Sequence, residues 1–467
     1  MVTSRVIRAA MSTNPTPCVA AAPSGAVEST HAARDMGGWR RWLLKVAGKH
    51  LTRDVISTVV TSFVLFGLMT VQGVFLARML GPEGRGQYAT AVFYTQTLMY
   101  VGLLGTHHAA ARWAARRQSD LAGLWRITFR LGLLTGVSTM AIVTLLALFA
   151  LPTEKQSLAP LCMLCALFLP LEHIRLLWLS VDHGRGDFRR YNLSRLASGL
   201  AFPVLLGVAW VNGASSALIA GILFVAAPIA GLIYQRTSRP IVAESETARR
   251  GPTVKRLLQR GKPYALAVLV SDLCDRIDIF LFLWFTSFVA QGYYAASVPA
   301  ANLLLVVPIA LSLFAFNAGA RRERKSTPRS VLKTAAAILG VQLLAAVAFA
   351  IVLEPLMVLV FGESFRGAVP LTLNLLPAYA VAGCGRIAEA YLQGRNKAIL
   401  GVISRLVGAA TMCMVVYFTF ERWDELSIPR GAFAGYVVSS LMLLVAILLD
   451  VRTSSRPQGE ITEGQLA

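Results

Sequence analysis

The sequence predicts an all-α, polytopic membrane protein of about 12 transmembrane helices, in two parallel-repeat six-helix bundles around a central cavity. Three observations carry this: apolar composition, the spacing of apolar runs, and the alternation of basic residues between them. Of 467 residues 55% are apolar and only 15% are charged, where a soluble chain carries about 25% charged residues. A soluble protein of that make-up could not cover its own surface, which excludes an ordinary cytosolic enzyme. At about 20 apolar residues per span, twelve helices absorb nearly the whole apolar content.

Apolar runs bounded by charge or turn residues put the first six spans at 54–80, 87–110, 128–151, 157–181, 193–211 and 214–234. The second six fall at 263–288, 292–319, 331–353, 369–393, 398–420 and 428–449. The two tails and every second connector hold 33 Lys and Arg residues. The opposite connectors and span ends hold six: Arg78, Arg85, Lys155, Arg366, Arg422 and Arg430. Cytoplasmic loops accumulate Lys and Arg, so both termini are expected in the cytoplasm. The alternation would collapse if a span were gained or lost, so it also supports the count. It accounts for the net charge of +21 with no nucleic-acid partner.

Residues 1–38 are Ala, Ser, Thr and Pro-rich and read as a disordered cytoplasmic tail, with no apolar core for a cleavable signal peptide. Over 39–53, Trp39, Trp42, Leu43, Val46 and His50 share one helix face, which suits an amphipathic interfacial helix. The N-terminal bundle is then 54–234, a basic cytoplasmic linker 235–262, the C-terminal bundle 263–450 and a cytoplasmic tail 451–467. Six cysteines are scattered; Cys162 and Cys165 form a CxxC without the flanking structure of a zinc or redox site. No cofactor or metal is expected. There is no Walker A motif, and Gly81–Gly86 has neither P-loop nor GxGxxG order, so it reads as a tight outer turn.

The halves share sequence. Gly86-Gln87-Tyr88-Ala89-Thr90-Ala91-Val92 opens the second span and Gly292-Tyr293-Tyr294-Ala295-Ala296-Ser297-Val298 the eighth, 206 residues later. Gly184-Arg185 with Ser194-Arg195-Leu196 returns as Gly394-Arg395 with Ser404-Arg405-Leu406, 210 residues later. A duplicated unit with an even number of spans gives parallel halves with a cavity between them near the midplane. Duplication without a soluble domain points to a transporter before an enzyme.

The seventh span carries Asp272, Asp275, Arg276 and Asp278. One ionised side chain at bilayer depth costs about 2.5–3.5 kcal/mol even on the lenient insertion scale, so these must pair or face a wet cavity. On a continuous helix Asp272, Asp275 and Arg276 fall within an arc of about 100°, with Asp278 about 60° further on. Two readings stand: a structural ion pair within the bundle, or contact with substrate or coupling ion. Glu172 and Arg175 in the fourth span, and Arg386 and Glu389 in the tenth, have i, i+3 spacing and read as intrahelical pairs clamping helices. His107 and His108 read as interfacial.

Leu76-Ala77-Arg78-Met79-Leu80-Gly81-Pro82-Glu83, followed by Gly86-Gln87-Tyr88-Ala89, resembles the first hairpin of bacterial polysaccharide flippases. These are the O-antigen and exopolysaccharide members of the multidrug/oligosaccharidyl-lipid/polysaccharide exporter superfamily. Arg276–Leu281, Phe361–Phe365 and Tyr391–Arg395 resemble later segments of that family, and the likeness runs over about 54–450. The Asp272 and Asp275 pair beside Arg276 has no counterpart in the family pattern. The resemblance implies a cavity lined by the first, second, seventh and eighth helices. It also implies movement of a polyprenyl-diphosphate-linked repeat unit from inner to outer leaflet of the bacterial inner membrane. The partners it implies are the lipid-linked saccharide, membrane lipids, and the polysaccharide polymerase with its chain-length machinery.

On that resemblance Arg276 is the first candidate for the diphosphate, since guanidinium pairs bidentately with phosphate. Arg78 is the second, with outer headgroups as its alternative partner, and Asp278 completes the seventh-span set. Tyr88, Tyr94, Tyr100, Tyr293 and Tyr294 are candidates for stacking on sugar rings, or for anchoring at the interface. Asp272 or Asp275 is the candidate for a coupling proton. Two competing functions remain: a cation-coupled multidrug antiporter of the same superfamily, and a membrane polysaccharide-assembly enzyme. The short outer connectors, the longest about fifteen residues at 354–368, weigh against the enzyme.

Overall fold

The computed structural model describes residues 49–116, 121–239, 252–320, 328–395 and 397–454. The expected disordered tail, most of the amphipathic helix, the middle of the basic linker and residues 455–467 lie outside them. The chain forms two compact units, Met1–Val55 and Ile56–Ala467, and every contact given below lies within the second. The described residues contain helices and no strand. In the first half these are α1 (Lys49–Gly102), α2 (Thr106–Arg116), α3 (Leu121–Phe149), α4 (Ala159–Ala166), α5 (Phe168–Arg185), α6 (Phe188–Val211) and α7 (Ala217–Thr237). The second half has α8 (Val254–Cys274), α9 (Ile277–Phe285), α10 (Phe288–Asn302), α11 (Val306–Ala320), α12 (Pro328–Phe361), α13 (Ala368–Gly394), α14 (Ala398–Trp423) and α15 (Ser427–Ser454).

Among the described residues nine stretches are long and apolar enough to cross a membrane. Ile56–Gly102 and Ala398–Leu449 each take in two of the expected spans, whereas the seventh is not among the nine because a break divides it. Connectors are short because polar side chains close the helix ends. Asp187, Ser216, Thr253 and Ser287 each accept a backbone N–H in the first turn of α6, α7, α8 and α10, the usual role of an N-cap. Gly186, left-handed at φ 75°, ends α5.

Several expected spans are interrupted. The turn between the first two spans is one residue, Gly81 at φ 64°, after which Pro82 starts the next helical segment. The second span, expected to run to 110, stops at Gly102, and Leu104 (φ 50°) and Gly105 (φ 69°) redirect the chain into α2. The fourth begins with the 3-10 turn Thr153–Leu158 and is split at Leu167, close to Pro170, which has no N–H for the helical ladder. The seventh is split at Asp275–Arg276 into α8 and α9.

Each half has its own apolar centre. Tyr88, Phe93, Leu169, Phe202 and Phe224 pack in the first, with the rings of Phe168 and Phe224 stacked at 4.2 Å. Cys162 and Cys165 are buried there as free thiols. Phe282, Tyr294, Leu375, Tyr379 and Met412 form the second centre. A further cluster joins the halves: Ala77 of α1 packs with Ala296 of α10 and with Leu353, Phe361 and Phe365.

Candidate functional site

Two glycine crossings bring the second span against the second half. A Cβ on Gly86 would collide with the carbonyl oxygen of Phe288, and one on Gly292 with that of Pro82. Residues 82 and 86 become 288 and 292 at the 206-residue offset, so the two copies of the repeat meet reciprocally, first turn on first turn. At the other end a Cβ on Gly261 of α8 would lie 2.5 Å from Leu104 O, and one on Gly105 would collide with Gly261 O. From Gly86 the helix runs to Gly102, roughly 24 Å and most of the thickness of the hydrocarbon core, before the chain turns at Leu104–Gly105.

Between these crossings lies the break in the seventh span, and it gathers the charged cluster. Arg276 has φ −124° and is the N-cap residue of α9. The four residues therefore do not share the arc expected of a continuous helix: Asp272 belongs to α8, Asp278 to α9, and Asp275 and Arg276 to the link between them. A chain leaving helical geometry cannot keep 100° per residue. Asp275 accepts from Arg405 Nη1 at 2.7 Å, with Arg386 Nη2 at 3.8 Å from its other oxygen. Asp278 is 8% exposed and accepts from Ile279 N at 2.8 Å and from the hydroxyl of Tyr294. Asp272 is half-buried and interacts electrostatically with Arg276. The Arg276 guanidinium makes no hydrogen bond among the described residues. A cavity of about 50 Å³, lined in part by Asp275, Asp278, Arg405, Tyr436 and Ser439, opens beside the break.

The other expected residues are placed differently. Arg78 donates from Nε to Val360 O at 2.9 Å and from Nη2 to Leu359 O, so it satisfies last-turn carbonyls of α12 in the other half. Tyr88 is buried between Phe202 and Phe224, and Tyr294 is stacked on Phe282 at 3.9 Å. Neither presents a ring to open space, contrary to the sugar-stacking expectation, because the bundle cores claim both faces. Tyr94 donates to Ala150 O at 2.7 Å and Tyr293, partly buried, packs on Phe365; Tyr100, 38% exposed, is the most open of the five.

Glu172 and Arg175 form an ion pair within α5, with 6% and 11% side-chain exposure. Arg386 and Glu389 do not pair with each other. Arg386 faces Asp275, and Glu389 accepts from Arg405 Nη2 at 2.9 Å, because Arg405 on α14 offers Glu389 a fork that its own helix does not. In the sequence Arg405 stands out only as a repeat residue, although an arginine inside an apolar run is a signal in itself. Arg85 and Lys155, expected only as outer-side charges, and Gln291, which carries no sequence signal, meet at the upper crossing.

The sequence matches the family described as "Polysaccharide biosynthesis protein" over residues 51–319. No match was found among the curated proteins. Among solved structures, an inward-facing multidrug resistance MATE family transporter of the MOP superfamily is similar at 15% identity and a TM-score of 0.70, covering 84% of this chain and 96% of its own. The lipid II flippase MurJ in an inward closed conformation is similar at 10% identity and 0.68, covering 84% and 87%. An outward-facing MATE family transporter is similar at 14% identity and 0.56, covering 86% and 96%. These likenesses establish the repeated helical-bundle fold, and the family match spans more than half of the sequence. On that match, the chain belongs to the polysaccharide biosynthesis protein family.

Proposed function

We propose that this protein is a transporter that moves a polyprenyl-diphosphate-linked oligosaccharide repeat unit across the bacterial inner membrane by alternating access. In this reading both termini are cytoplasmic, the cargo feeds cell-surface polysaccharide such as O-antigen or exopolysaccharide, and a polymerase with its chain-length machinery receives it. The observation that carries the reading is the state of the charges at the seventh-span break. Asp275 is held by Arg405, and Asp278 by Tyr294 and a backbone N–H, while Arg276, with Asp272 near it, makes no hydrogen bond among the described residues. Such a guanidinium at a helix N-terminus between the two crossings is suited to a diphosphate. The family match supports the polysaccharide context, and MurJ, a lipid II flippase, supports the fold's capacity for lipid-linked cargo.

The test is to delete the gene and measure lipid-linked saccharide and surface polymer in parallel. Accumulated lipid intermediate with lost polymer, restored by wild type and not by Arg276→Ala, is the expected result. Unchanged intermediates would sink the reading. A cation-coupled multidrug antiporter is the second reading, favoured by the buried carboxyl of Asp278. It predicts gradient-driven dye export that Asp278→Asn abolishes and Arg276→Ala spares.

A further inference from the structure

The upper crossing holds two buried cations that form no salt bridge among the described residues, although the exposed Glu154 lies next to Lys155 and acts on it electrostatically. Arg85, the residue before Gly86, is 8% exposed, and its one hydrogen bond, from Nη2 to Ala295 O, is long at 3.4 Å. Its Nε and Nη1 are buried without a hydrogen-bond partner among the described residues. The hydroxyl of Tyr88, one turn along, is buried and equally unanswered. Lys155, on the 3-10 turn after α3, is 3% exposed and reaches across to the other half. Its Nζ donates to Leu283 O at 2.6 Å and to Gln291 Oε1 at 3.2 Å, and lies 5.3 Å from the centre of the Phe288 ring. Gln291 Oε1 also accepts from Thr90 at 2.7 Å. Both cations therefore touch α10 within one turn, Lys155 through the side chain of Gln291 and Arg85 through the main-chain carbonyl of Ala295.

Burying charge without a counter-ion is unfavourable. Lys155 offsets part of that cost through neutral acceptors and the neighbouring Glu154, whereas Arg85 Nε and Nη1 have no acceptor among the described residues. A guanidinium fork and an ammonium within one turn of the same helix match the chemistry of a phosphate or diphosphate. Where the seam stays shut, no such anion fits, because Gly86 and Gly292 hold backbone against backbone.

We propose that Arg85 and Lys155 form a second anion site, shut in this structure, that takes a phosphate or diphosphate group when the Gly86–Gly292 crossing separates. The proposal rests on the transporter reading and deepens it. Arg276 would meet the cargo at the break of the seventh span, and Arg85 with Lys155 would hold its diphosphate on the side where the seam opens.

The test uses the full chain in phosphatidylcholine nanodiscs, with inorganic diphosphate as the probe in calorimetric titrations. Gly292→Ala forces the crossing apart, since its Cβ collides with Pro82 O, and labelling of an Ala296→Cys reporter by a maleimide follows the opening. Gly292→Ala is expected to label faster and to bind diphosphate about tenfold more tightly than wild type, as one or two charge-assisted hydrogen bonds allow. Adding Arg85→Gln or Lys155→Gln removes the gain, and Arg85→Lys keeps part of it, which separates loss of the site from loss of fold. Replacing part of the phosphatidylcholine with phosphatidylglycerol identifies the source. Competition assigns the site to a lipid headgroup, its absence to a free diphosphate, and either supports the site. Faster labelling without tighter binding overturns the proposal, as does a gain that survives both glutamine substitutions. Unchanged labelling overturns the assignment of this crossing as the moving seam. None of these results depends on the gene-deletion test, so the two readings fail separately.

Discussion

Arg405 on α14 lies between two carboxylates, donating to Asp275 at 2.7 Å and to Glu389 at 2.9 Å. It thereby ties the break of the seventh span to the tenth and eleventh. Its side chain is 16% exposed, Glu389 is 13% exposed and Asp275 42%. Removing one partner of a buried pair strands the other charge, at about 3–5 kcal/mol when burial is complete, and exposure discounts this towards 1 kcal/mol. Thermal unfolding in detergent should therefore rank Arg405→Gln as most destabilising, then Glu389→Gln, then Asp275→Asn. An equal effect of all three would show that the bridge does not hold the break.

Arg78 contributes to the closed seam through main-chain acceptors rather than through an acidic partner. Arg78→Ala should free the last-turn carbonyls of α12 and cost about 1–2 kcal/mol. Arg78→Lys should recover less than half of that, since one ammonium cannot reproduce the fork to Leu359 and Val360. The measurement is the thermal midpoint, with maleimide labelling of Ala77→Cys reporting on the seam. Full recovery by lysine would refute the forked contact.

Tyr294 and Asp278 should respond asymmetrically. Tyr294→Phe leaves a buried carboxyl with one donor fewer, a loss of about 1.5–3 kcal/mol. Asp278→Asn keeps an acceptor for the same hydroxyl and should cost less. If lipid-linked saccharide still crosses the membrane in Asp278→Asn cells, this carboxyl carries no coupling proton for that cargo.

The lower crossing offers a test of geometry alone. Gly105 needs its left-handed backbone (φ 69°) as well as close approach, whereas Gly261 needs only the approach. Gly105→Ala should therefore exceed Gly261→Ala in destabilisation by about 1–2 kcal/mol, the cost of placing a Cβ in that region. Equal effects would mean that sterics across the crossing dominate both.

The class of the protein was legible because lipid imposes one rule on every residue of a span: backbone polar groups must be satisfied internally, so long apolar runs become helices. The apolar stretches at 331–353, 369–393, 398–420 and 428–449 accordingly lie within α12, α13, α14 and α15. The interruptions were not legible by the same rule. At Leu104–Gly105 the apolar run simply continues, and at Asp275–Arg276 the charge was visible but the loss of helical geometry was not. The pairing choices were hidden for a related reason. Glu389 has an arginine at i−3 on its own helix, and the geometry of a third helix decides that it bonds Arg405 instead.

By itself, then, the sequence determined a duplicated, helical, membrane-embedded chain with charges that had to be answered inside it, because hydropathy, basic alternation and repeat offsets are properties of position along the chain. The tertiary structure alone decided which charges answer each other and which are left over. Arg276 without a hydrogen bond among the described residues, Arg78 spent on main-chain carbonyls, and Arg85 and Lys155 buried against the second half follow from contacts between residues tens to hundreds of positions apart. The short-range spacing that shapes each helix carries no information about such contacts.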